Sequence, residues 1–452
     1  MTSPPLRTRA AVLAGRAAST ASRLAGRGEG LVIGGKVMLR LSPTAMTDLA
    51  GDRVAALVSA TNGKTSTTRL LATAVGQTGP VVTQETGANM TEGVLSALAY
   101  GHPRGQAVLE VDEAYLPLIL PDTRPRALLL GNLTRDQLDR MNEVAMVARK
   151  WRTMLQTCPE RTTVVANCDD PIVTWSARRA PRVLWVSAGQ NWTSDASVCL
   201  ECGGLMRFGA GAAWACTSCD FSRPAPAWRF VDDGGRYLAV GPDRRSHDLS
   251  GLQLPGWFNA ANATLALAAA TDVLGLNPRQ SIRRMSTVTG VSGRYEVREI
   301  GALRARLLLA KNPASWSELL TVMPPTPTPV IITINANDAD GRDPSWLWDV
   351  PFEKLRGRTV IATGDRRRDL AVRLLHADVD HVVIEDPYDP AAPLPPAARE
   401  LDVIDCAATY TAFHGLRTRA DARTEPTTKR GGGAGGGGRG PGVLRRKAGA
   451  GA

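Results

Sequence analysis

The sequence predicts an α/β protein in which helices flank parallel sheets, and two observations support this fold class. Short apolar runs alternate with helical patterns from about Val54, and a second series of the same kind begins after roughly Gly301. Strands that alternate with helices favour parallel sheets joined by crossover connections. A chain of 452 residues also exceeds the usual size of one hydrophobic core, which favours two or three domains.

The apolar runs mark candidate strands in each series. In the first series they cover 54–60, 107–111, 127–130 and 162–166, with helical patterns over 93–100, 137–157 and 259–274. In the second series they cover 306–309, 330–335, 359–363 and 381–385. We predict an N-terminal basic helix and lead-in over residues 1–45, a P-loop central domain over 46–300 with an insertion at 195–224, and a C-terminal Rossmann-like α/β domain over 301–420. Residues 421–452 are Gly-rich and basic, and we expect them to be disordered because they offer little apolar surface to bury.

The positive charge of the chain is concentrated at its two ends. The net charge is +11, of which residues 1–30 contribute +4 and residues 416–452 contribute +7, so the body is neutral. A neutral body disfavours a nucleic-acid footprint that spans a whole domain. Arg9, Arg16 and Arg23 recur every seven residues and form one basic stripe on a predicted helix. This pattern leaves open a solvated helix, a membrane-surface helix or a transit peptide.

Two further features bear on the compartment. No stretch of 18 apolar residues exists, and no apolar segment typical of a secretory signal follows the N-terminal arginines. Seven cysteines, four of them in a metal-type pattern, fit a reducing cytosol better than a disulfide framework. We therefore expect a cytoplasmic protein, with peripheral contact at the inner face of the membrane left open.

The segment 59–66 has the pattern of a phosphate-binding loop. It follows an apolar strand and precedes a helix, and backbone N–H groups at a helix N-terminus bind phosphate oxygens. Lys64 is expected to reach the terminal phosphates, and the Thr65 hydroxyl to bind Mg²⁺. The first Gly of the usual P-loop falls at Val58, so this loop is a variant. The candidate ATP-binding residues here are Thr61, Asn62, Gly63, Lys64, Thr65 and Ser66.

Several residues farther along the chain suit a bound nucleotide. Glu110 ends an apolar run, and a carboxylate at the carboxyl end of a parallel strand suits Mg²⁺. Asn259 and Asn262 share one face of an Ala-rich helix, where their amides could recognise a purine edge. Arg294 lies near the predicted junction of the two domains and could neutralise phosphate charge. The last two signals are weak when taken alone.

Four cysteines form a specific metal-binding pattern. Cys199 and Cys202 make one C-x-x-C pair, and Cys216 and Cys219 make a second pair, with thirteen residues between the two pairs. Two such pairs close a tetrahedral zinc site, and four protein ligands leave no open position, so we predict a structural Zn²⁺. Cys158, Cys168 and Cys406 are interpreted as ordinary core or loop thiols.

An acidic segment is followed by two tryptophans. Residues 337–343 resemble part of a calcium loop, but the required bidentate Glu is out of register, and we discount calcium. Trp346 and Trp348 then lead to Asp349. The two tryptophans indicate either a contact surface or a turn anchored in the core.

These motifs, in this order, resemble the Mur ligase superfamily of ATP-dependent ligases. The loop Thr61–Thr65 without its first Gly is typical of that family, as is the helix segment from Gly256 to Asn262, although Phe258 replaces a His. The segment from Asn132 to Arg140 resembles another family motif, in which Gln137 replaces a His that helps to hold Mg²⁺. The resemblance therefore implies Thr65, Glu110 and Gln137 as candidate Mg²⁺ ligands. Lys311-Asn312-Pro313 resembles a family segment near the nucleotide but lacks its Asp.

Within this superfamily the chain more closely resembles the ligase-like subunits of lipid II isoglutaminyl synthases, over roughly residues 5–415. The zinc ribbon, the segment Leu109–Glu113 and the run Asp340–Asp349 carry this resemblance. It implies ATP-dependent amidation of the D-glutamate α-carboxylate of the lipid II stem peptide through an acyl phosphate, in peptidoglycan synthesis. Ammonia would come from a GatD-like glutamine amidotransferase subunit, whose catalytic His Asp349 would orient. Lys64, Glu110 and Asp349 are then the expected catalytic residues.

Two alternatives remain at this point. A Mur-type or folylpolyglutamate-type ligase that adds an amino acid would use the same chemistry, but it needs neither the zinc ribbon nor the Asp340–Asp349 run. A P-loop nucleic-acid-binding protein with a zinc ribbon and basic tails belongs to another class, and the neutral body of the chain speaks against it.

Overall fold

The computed structural model describes residues 4–25, 30–84, 87–135, 144–190, 192–290, 296–324 and 326–424. The chain begins with three helices that pack beside the first sheet: α1 (Leu6–Leu24), α2 (Leu31–Leu41) and α3 (Ala45–Ala50). The predicted N-terminal helix is therefore confirmed. None of the helices in the described ranges is both long enough and apolar enough to span a bilayer.

The first sheet has nine strands in the order β11-β10-β9-β6-β5-β4-β1-β3-β2. The elements of this part of the chain, in order, are β1 (Val54–Ser59), α4 (Lys64–Val75), β2 (Val81–Val82), α5 (Thr91–Tyr100), β3 (Gln106–Glu110), α6 (Leu116–Thr123), β4 (Ala127–Leu130), α7 (Val144–Gln156), β5 (Thr163–Asn167), α8 (Pro171–Ala177), β6 (Val183–Ser187), β7 (Met206–Phe208), β8 (Trp214–Cys216), β9 (Trp228–Asp233), β10 (Arg236–Val240), β11 (Ser246–Asp248), α9 (Trp257–Ala268) and α10 (Pro278–Met285). Strands β1 to β6 run parallel, and β7 and β8 form a separate hairpin.

The second sheet has six strands in the order β12-β13-β17-β14-β15-β16. Its elements are β12 (Val297–Ile300), β13 (Leu303–Leu309), α11 (Pro313–Val322), β14 (Val330–Thr333), β15 (Val360–Thr363), α12 (Arg367–His376), β16 (His381–Val383), α13 (Pro396–Arg399), β17 (Ile404–Ala408) and α14 (Tyr410–Thr424). Strand β12 pairs antiparallel at one edge, and the other five described strands of this sheet pair parallel.

The burial of the strands explains why continuous apolar runs predicted them. All residues of β1, β4, β14, β15 and β17 are buried, because helices cover both faces of each parallel sheet. Two core clusters lie on opposite faces of the first sheet: Leu57 and Trp151 belong to one, Val58 and Leu70 to the other. The alternation of Leu57 and Val58 between clusters follows from the two-residue period of a strand.

The predicted α/β fold class is confirmed, with a correction at two tryptophans. Trp346 is buried and packs on Trp316, with ring centroids 6.4 Å apart, whereas Trp348 is exposed. The interpretation in which both face a contact surface is therefore wrong for Trp346. The start of the predicted helix 137–157 and the tail after Thr424 lie outside the described residues, and α7 begins at Val144. The domain boundaries stay a prediction.

Candidate active site

The phosphate loop occupies the turn between β1 and α4. Residues 60–63 connect the buried strand to the first helical residue, Lys64. Gly63 adopts φ +80°, a left-handed conformation that glycine reaches without a steric penalty. A Cβ atom at Gly63 would also lie 2.7 Å from the Asn262 Nδ2. The loop therefore lies against the Asn262 side chain of α9, and the left-handed backbone at this position favours glycine.

The segment after β4 braces this loop. The Asn62 N–H donates to the Asn132 Oδ1 at 2.9 Å, and the Asn132 Nδ2 donates back to the Asn62 carbonyl at 3.0 Å. The Thr134 N–H donates to the Thr61 hydroxyl at 3.1 Å, and that hydroxyl donates to the Thr134 carbonyl. These reciprocal bonds fix the backbone of the loop before any ligand binds.

The ammonium group of Lys64 forms an ion pair near the carboxyl end of β3. Lys64 is buried, and its Nζ lies 2.8 Å from the Glu113 Oε2 and also donates to the Ala60 carbonyl. Glu110 is buried as well, and its Oε1 accepts from the Asn89 Nδ2 at 3.0 Å. Burial and the nearby charge of Glu113 raise the pKa of Asp112, and Lys64 acts in the opposite direction. Lys64 is thus paired with Glu113, in a part of the site that also holds Glu110 and Asp112 at the carboxyl end of β3.

The loop opens into a cavity of about 250 Å³ that both sheet-containing parts of the chain line. Across it, Asn312 caps the N-terminus of α11, and its Nδ2 donates to the Asn62 Oδ1 at 3.0 Å. The Asn62 Nδ2 donates in return to the Asn312 Oδ1 at 3.2 Å. This amide pair joins positions 250 residues apart in sequence. The C-terminal part of the chain therefore touches the phosphate loop directly.

Most of the predicted ATP-site residues lie around this one cavity. They are Thr61, Asn62, Gly63, Lys64, Thr65, Ser66, Glu110, Asn259 and Asn262. Gln137 and Arg294 lie outside the described residues. Their roles at the site stay predictions.

Sequence reasoning missed one carboxylate of the cavity lining. Glu318, on α11, lines the cavity, and burial raises the pKa of its carboxyl group to about 7. Lys311 and Ser315 line the same wall. A single glutamate in an amphipathic helix gives no pattern that would single it out, so only the placement of α11 opposite α9 brings Glu318 here.

Asp349 lies apart from the cavity. It ends a short helical turn, Ser345–Asp349, and its Oδ2 lies 3.4 Å from the Arg135 Nη1. The side chain remains partly exposed. Neighbouring Trp348 is exposed and packs beside His376, with ring centroids 5.3 Å apart. Asp349 and Trp348 thus share a surface, whereas Lys64 and Glu110 face the cavity.

The acidic segment before Asp349 has a structural role. Asp340 is buried, and its carboxylate accepts hydrogen bonds from the backbone N–H groups of Thr411 at 2.7 Å and Asn337 at 3.1 Å. Arg342 pairs with Asp338 on the surface. These contacts tie the segment to the start of α14, which accounts for its acidic residues without a metal.

The four cysteines form a compact cluster. The sulfur atoms of Cys199, Cys202, Cys216 and Cys219 all lie within 4.8 Å of one another. The Cys199–Cys219 and Cys202–Cys216 sulfur distances are 3.8 and 3.5 Å. Sulfurs bound to one tetrahedral Zn²⁺ at ~2.3 Å lie ~3.8 Å apart. The N–H groups of Gly204 and Ser218 donate to Cys202 and Cys216, so each C-x-x-C turn has the form of a metal knuckle.

Comparison with known proteins identifies the family. The model of the Mur ligase middle domain matches residues 58–201, and the model of the MurT ligase C-terminal domain matches residues 309–413. The chain belongs to the Mur ligase family and is of the MurT type. In this MurT-type chain, the two matched regions hold the phosphate loop and the opposite wall of the cavity.

Curated relatives and solved structures agree with this assignment. The chain is 28% identical to the MurT subunit of lipid II isoglutaminyl synthase of Streptococcus pneumoniae, over 82% of this chain and 87% of that protein. It is 28% identical to the Staphylococcus aureus MurT subunit, over 72% of this chain and 78% of that one. A pseudomurein peptide ligase type C from Methanothermus fervidus superposes with a TM-score of 0.62 at 15% identity, covering 86% of this chain and 84% of that one. MurF from Acinetobacter baumannii gives a TM-score of 0.60 at 12% identity, with 85% and 80% covered. The Mur ligase fold is therefore confirmed.

Proposed function

We propose that the chain is the ligase subunit of a lipid II isoglutaminyl synthase. It amidates the D-glutamate α-carboxylate of the lipid II stem peptide to D-isoglutamine, with ATP as the phosphoryl donor. The observation that carries the proposal is the cavity in which the phosphate loop faces residues of the MurT-type C-terminal region. Transfer of the γ-phosphoryl group to the carboxylate forms an acyl phosphate, and attack by ammonia then displaces phosphate.

The residues of the cavity divide this work by their chemistry. The N–H groups at the start of α4 and the ammonium group of Lys64 bind the negatively charged phosphates. Glu113 holds Lys64 in place by the ion pair described above. Asn259 and Asn262 face the purine end from α9, and Arg294 adds positive charge from the domain junction.

The cavity also offers a fitting site for Mg²⁺. The Thr65 hydroxyl and the Glu110 carboxylate both line it, and hard oxygen ligands are those that Mg²⁺ prefers. Gln137 is the third ligand that we propose. Such an ion neutralises charge on the phosphates during transfer. The four cysteines suit Zn²⁺ in a closed structural site, because their sulfur spacing matches tetrahedral thiolate coordination.

Ammonia comes from a separate GatD-like glutaminase partner. A glutaminase cysteine must ionise to act as a nucleophile. Burial raises the pKa of Cys158 to about 11 and that of Cys168 and Cys406 to about 12, which keeps these thiols protonated. Asp349 stands on an exposed surface, where its carboxylate can orient the imidazole of the partner. The lipid-linked substrate places the complex at the inner face of the membrane, in peripheral contact with it.

One experiment tests the proposal directly. The chain is purified with and without a co-expressed glutaminase, and the mass of lipid II is followed with ATP and glutamine, with ATP and ammonium, or with ATP and single amino acids. We expect a loss of about one mass unit, as one hydroxyl becomes an amide, with glutamine only when the partner is present. The Lys64→Ala variant should lose nucleotide turnover. Undiminished turnover in that variant, or addition of an amino acid instead of ammonia, would contradict the proposal.

A further inference from the structure

The first helix carries exposed leucines on the side that faces away from the protein. Leu6, Leu13 and Leu24 are 79%, 67% and 85% exposed. They are spaced by seven and eleven residues, which correspond to about two and three turns, so they form one line along α1. The buried residues of α1 occupy the opposite side: Thr8, Ala11, Gly15, Ser19 and Ser22. A line of exposed leucines on a helix of otherwise small and basic residues has no role in the packing of the fold.

The second helix also carries exposed apolar and basic residues. Val32 and Ile33 are 47% and 41% exposed, and Lys36 and Arg40 are exposed on the same helix. On α2 the buried residues are Gly34, Gly35 and Met38, which face α1 and α5. The two helices therefore turn mainly small residues inward, together with Met38, and expose other apolar and basic residues to solvent.

Close packing holds this hairpin in a fixed orientation. A Cβ atom at Gly15 would lie 2.9 Å from the Gly34 carbonyl oxygen, so α1 and α2 cross with their backbones almost in contact. A Cβ atom at Gly35 would lie 2.4 Å from the Glu92 carbonyl oxygen on α5. Ser19 and Tyr100 share a hydrogen bond of 3.2 Å. The exposed side of the hairpin is thus presented by a rigid support.

The charge of this region is almost entirely positive. Residues 4–25 and 30–50 carry six basic side chains and one acidic side chain, Asp48. Asp48 accepts hydrogen bonds from Thr8 and Thr44, which draws it toward the protein. The exposed side of the hairpin therefore presents positive charge without a compensating carboxylate of its own.

The basic side chains stand beside the exposed apolar ones. Arg9 lies one turn from Leu6, so positive charge flanks the line of leucines. Arg16 turns back to the protein, where it donates to the Ala99 carbonyl at 3.3 Å. We therefore leave Arg16 out and define the outer face as Leu6, Leu13, Leu24, Val32, Ile33, Arg9, Arg23, Lys36 and Arg40.

We propose that the outer face binds the surface of an anionic lipid bilayer. The leucines enter the boundary between headgroups and acyl chains, while the arginines and the lysine contact the lipid phosphates. In this arrangement both helices lie flat along the membrane surface. The role that we give to membrane binding rests on the proposed function, because a ligase bound to the membrane surface lies close to a lipid-linked carboxylate.

The positive charge of the outer face favours an anionic bilayer over a second copy of the chain as its binding partner. A symmetric dimer through the outer face would place the same patch opposite itself, with arginines against arginines. An anionic lipid surface instead supplies opposite charge to every basic side chain and an apolar layer for every leucine.

Sedimentation of the full-length chain with lipid vesicles tests the proposal. The vesicles are phosphatidylcholine with or without one third phosphatidylglycerol. The test variant is Leu6→Gln/Leu13→Gln/Leu24→Gln, and the matched control is Leu118→Gln/Leu375→Gln, which replaces leucines that are 64% and 70% exposed elsewhere. A second variant, Arg9→Gln/Lys36→Gln/Arg40→Gln, tests charge. The basic residues after Thr424 are present in every protein and contribute equally.

We expect the unchanged chain to partition at least about tenfold more strongly into anionic vesicles than into neutral ones. Both test variants should lower that partition by at least about tenfold, and the control should stay within twofold. ATP- and ammonium-driven amidation of a lipid-free muropeptide should be equal in all variants, which shows that the site is intact. If neither the unchanged chain nor any variant amidates a substrate, the proposed function is wrong. The vesicle measurements then still test membrane binding independently.

Three outcomes would overturn the proposal. The first is equal binding of the unchanged chain to anionic and neutral vesicles. The second is full vesicle binding by the leucine variant. The third is a leucine variant that loses a dimer, or loses the glutaminase partner, while vesicle binding is unchanged, because the outer face would then be a protein interface.

Discussion

Arg135 and Asp349 form an ion pair, with the Arg135 Nη1 3.4 Å from the Asp349 Oδ2. Arg135 directly follows Thr134, whose backbone is bonded to Thr61 in the phosphate loop. It is also anchored by Asp195, which accepts a hydrogen bond from the Arg135 backbone N–H at 2.9 Å. The residue that we expect to serve a partner enzyme is therefore held by the segment that braces the nucleotide loop.

The Asp349→Asn variant separates glutamine use from ligation. The amide cannot stabilise a charged imidazole of the partner, so glutamine-driven amidation should fall roughly 10²- to 10⁴-fold. Amidation driven by added ammonium should stay within about twofold, because Asp349 lies outside the nucleotide cavity. Both rates are measured by mass spectrometry of lipid II with the assembled complex.

A neighbouring carboxylate provides the control for this prediction. Asp338→Asn changes an exposed aspartate of the same segment, which pairs only with Arg342 among the described residues. Its glutamine-driven rate should match that of the unchanged complex. Full glutamine-driven activity in Asp349→Asn would remove the role that we assign to Asp349.

The Gly63→Ala variant tests the phosphate loop without touching its charge. Alanine at φ +80° is strained by about 1–3 kcal/mol, and its Cβ atom would also meet the Asn262 amide. We expect ATP affinity, measured by isothermal titration calorimetry, to fall at least about tenfold. Gly51→Ala is the matched control, because Gly51 has φ +49° but open space around its Cβ position. Unchanged affinity in Gly63→Ala would show that the contact with α9 is not needed for nucleotide binding.

The sequence predicted those parts of the fold and site that are contiguous in the chain. The phosphate loop at Gly63 and Lys64 follows an apolar strand, and its conformation is set by neighbours within a few residues. The cysteine cluster is equally local, since each pair forms one turn. Buried parallel strands such as β4 show as unbroken apolar runs, because both of their faces are covered.

Contacts between distant segments could not be predicted from the sequence. The Asn62–Asn312 amide pair depends on how the second sheet packs against the first. Trp346 and Trp348 stand two residues apart, yet one enters the core and the other faces solvent, because the short helical turn that carries them directs them differently. The sequence also did not predict that Leu6 is exposed. The buried side of α1 consists of small residues, which a search for apolar periodicity does not recognise as a packing face.

Loss of one cysteine should unfold the ribbon without unfolding the chain. In Cys216→Ser, we expect the bound zinc to fall from one to near zero per chain by elemental mass spectrometry. Backbone amides of residues 198–222 should then exchange hydrogen much faster, since metal binding supplies the folding energy of such small sites. Thr217→Ser keeps a hydroxyl in the same turn and should retain the metal. Full protection of the ribbon after chelation of the zinc would show that the hairpin is stable without metal.

Glu318 should make the stability of the chain depend on pH in a predictable direction. Burial raises the pKa of its carboxyl group from 4.5 to about 7 in the folded state. Between these two values the folded chain binds more protons than the unfolded chain, so stability falls as the pH rises from about 4.5 to 7. Above pH 7 Glu318 is ionised in both the folded and the unfolded chain, and the free energy of unfolding stays lower by the full cost of burying its charge.

The Glu318→Gln variant should remove this cost, because glutamine resembles the protonated acid. We expect its free energy of unfolding to match that of the unchanged chain near pH 5 and to exceed it by roughly 1–2 kcal/mol at pH 8, a value reduced for the partial exposure of the side chain. Urea unfolding at a series of pH values measures the difference, and Glu400→Gln, an exposed carboxylate of the same part of the chain, is the control. A pH-independent difference between the two proteins would mean that Glu318 is ionised in the folded chain and stabilised by a contact other than those described.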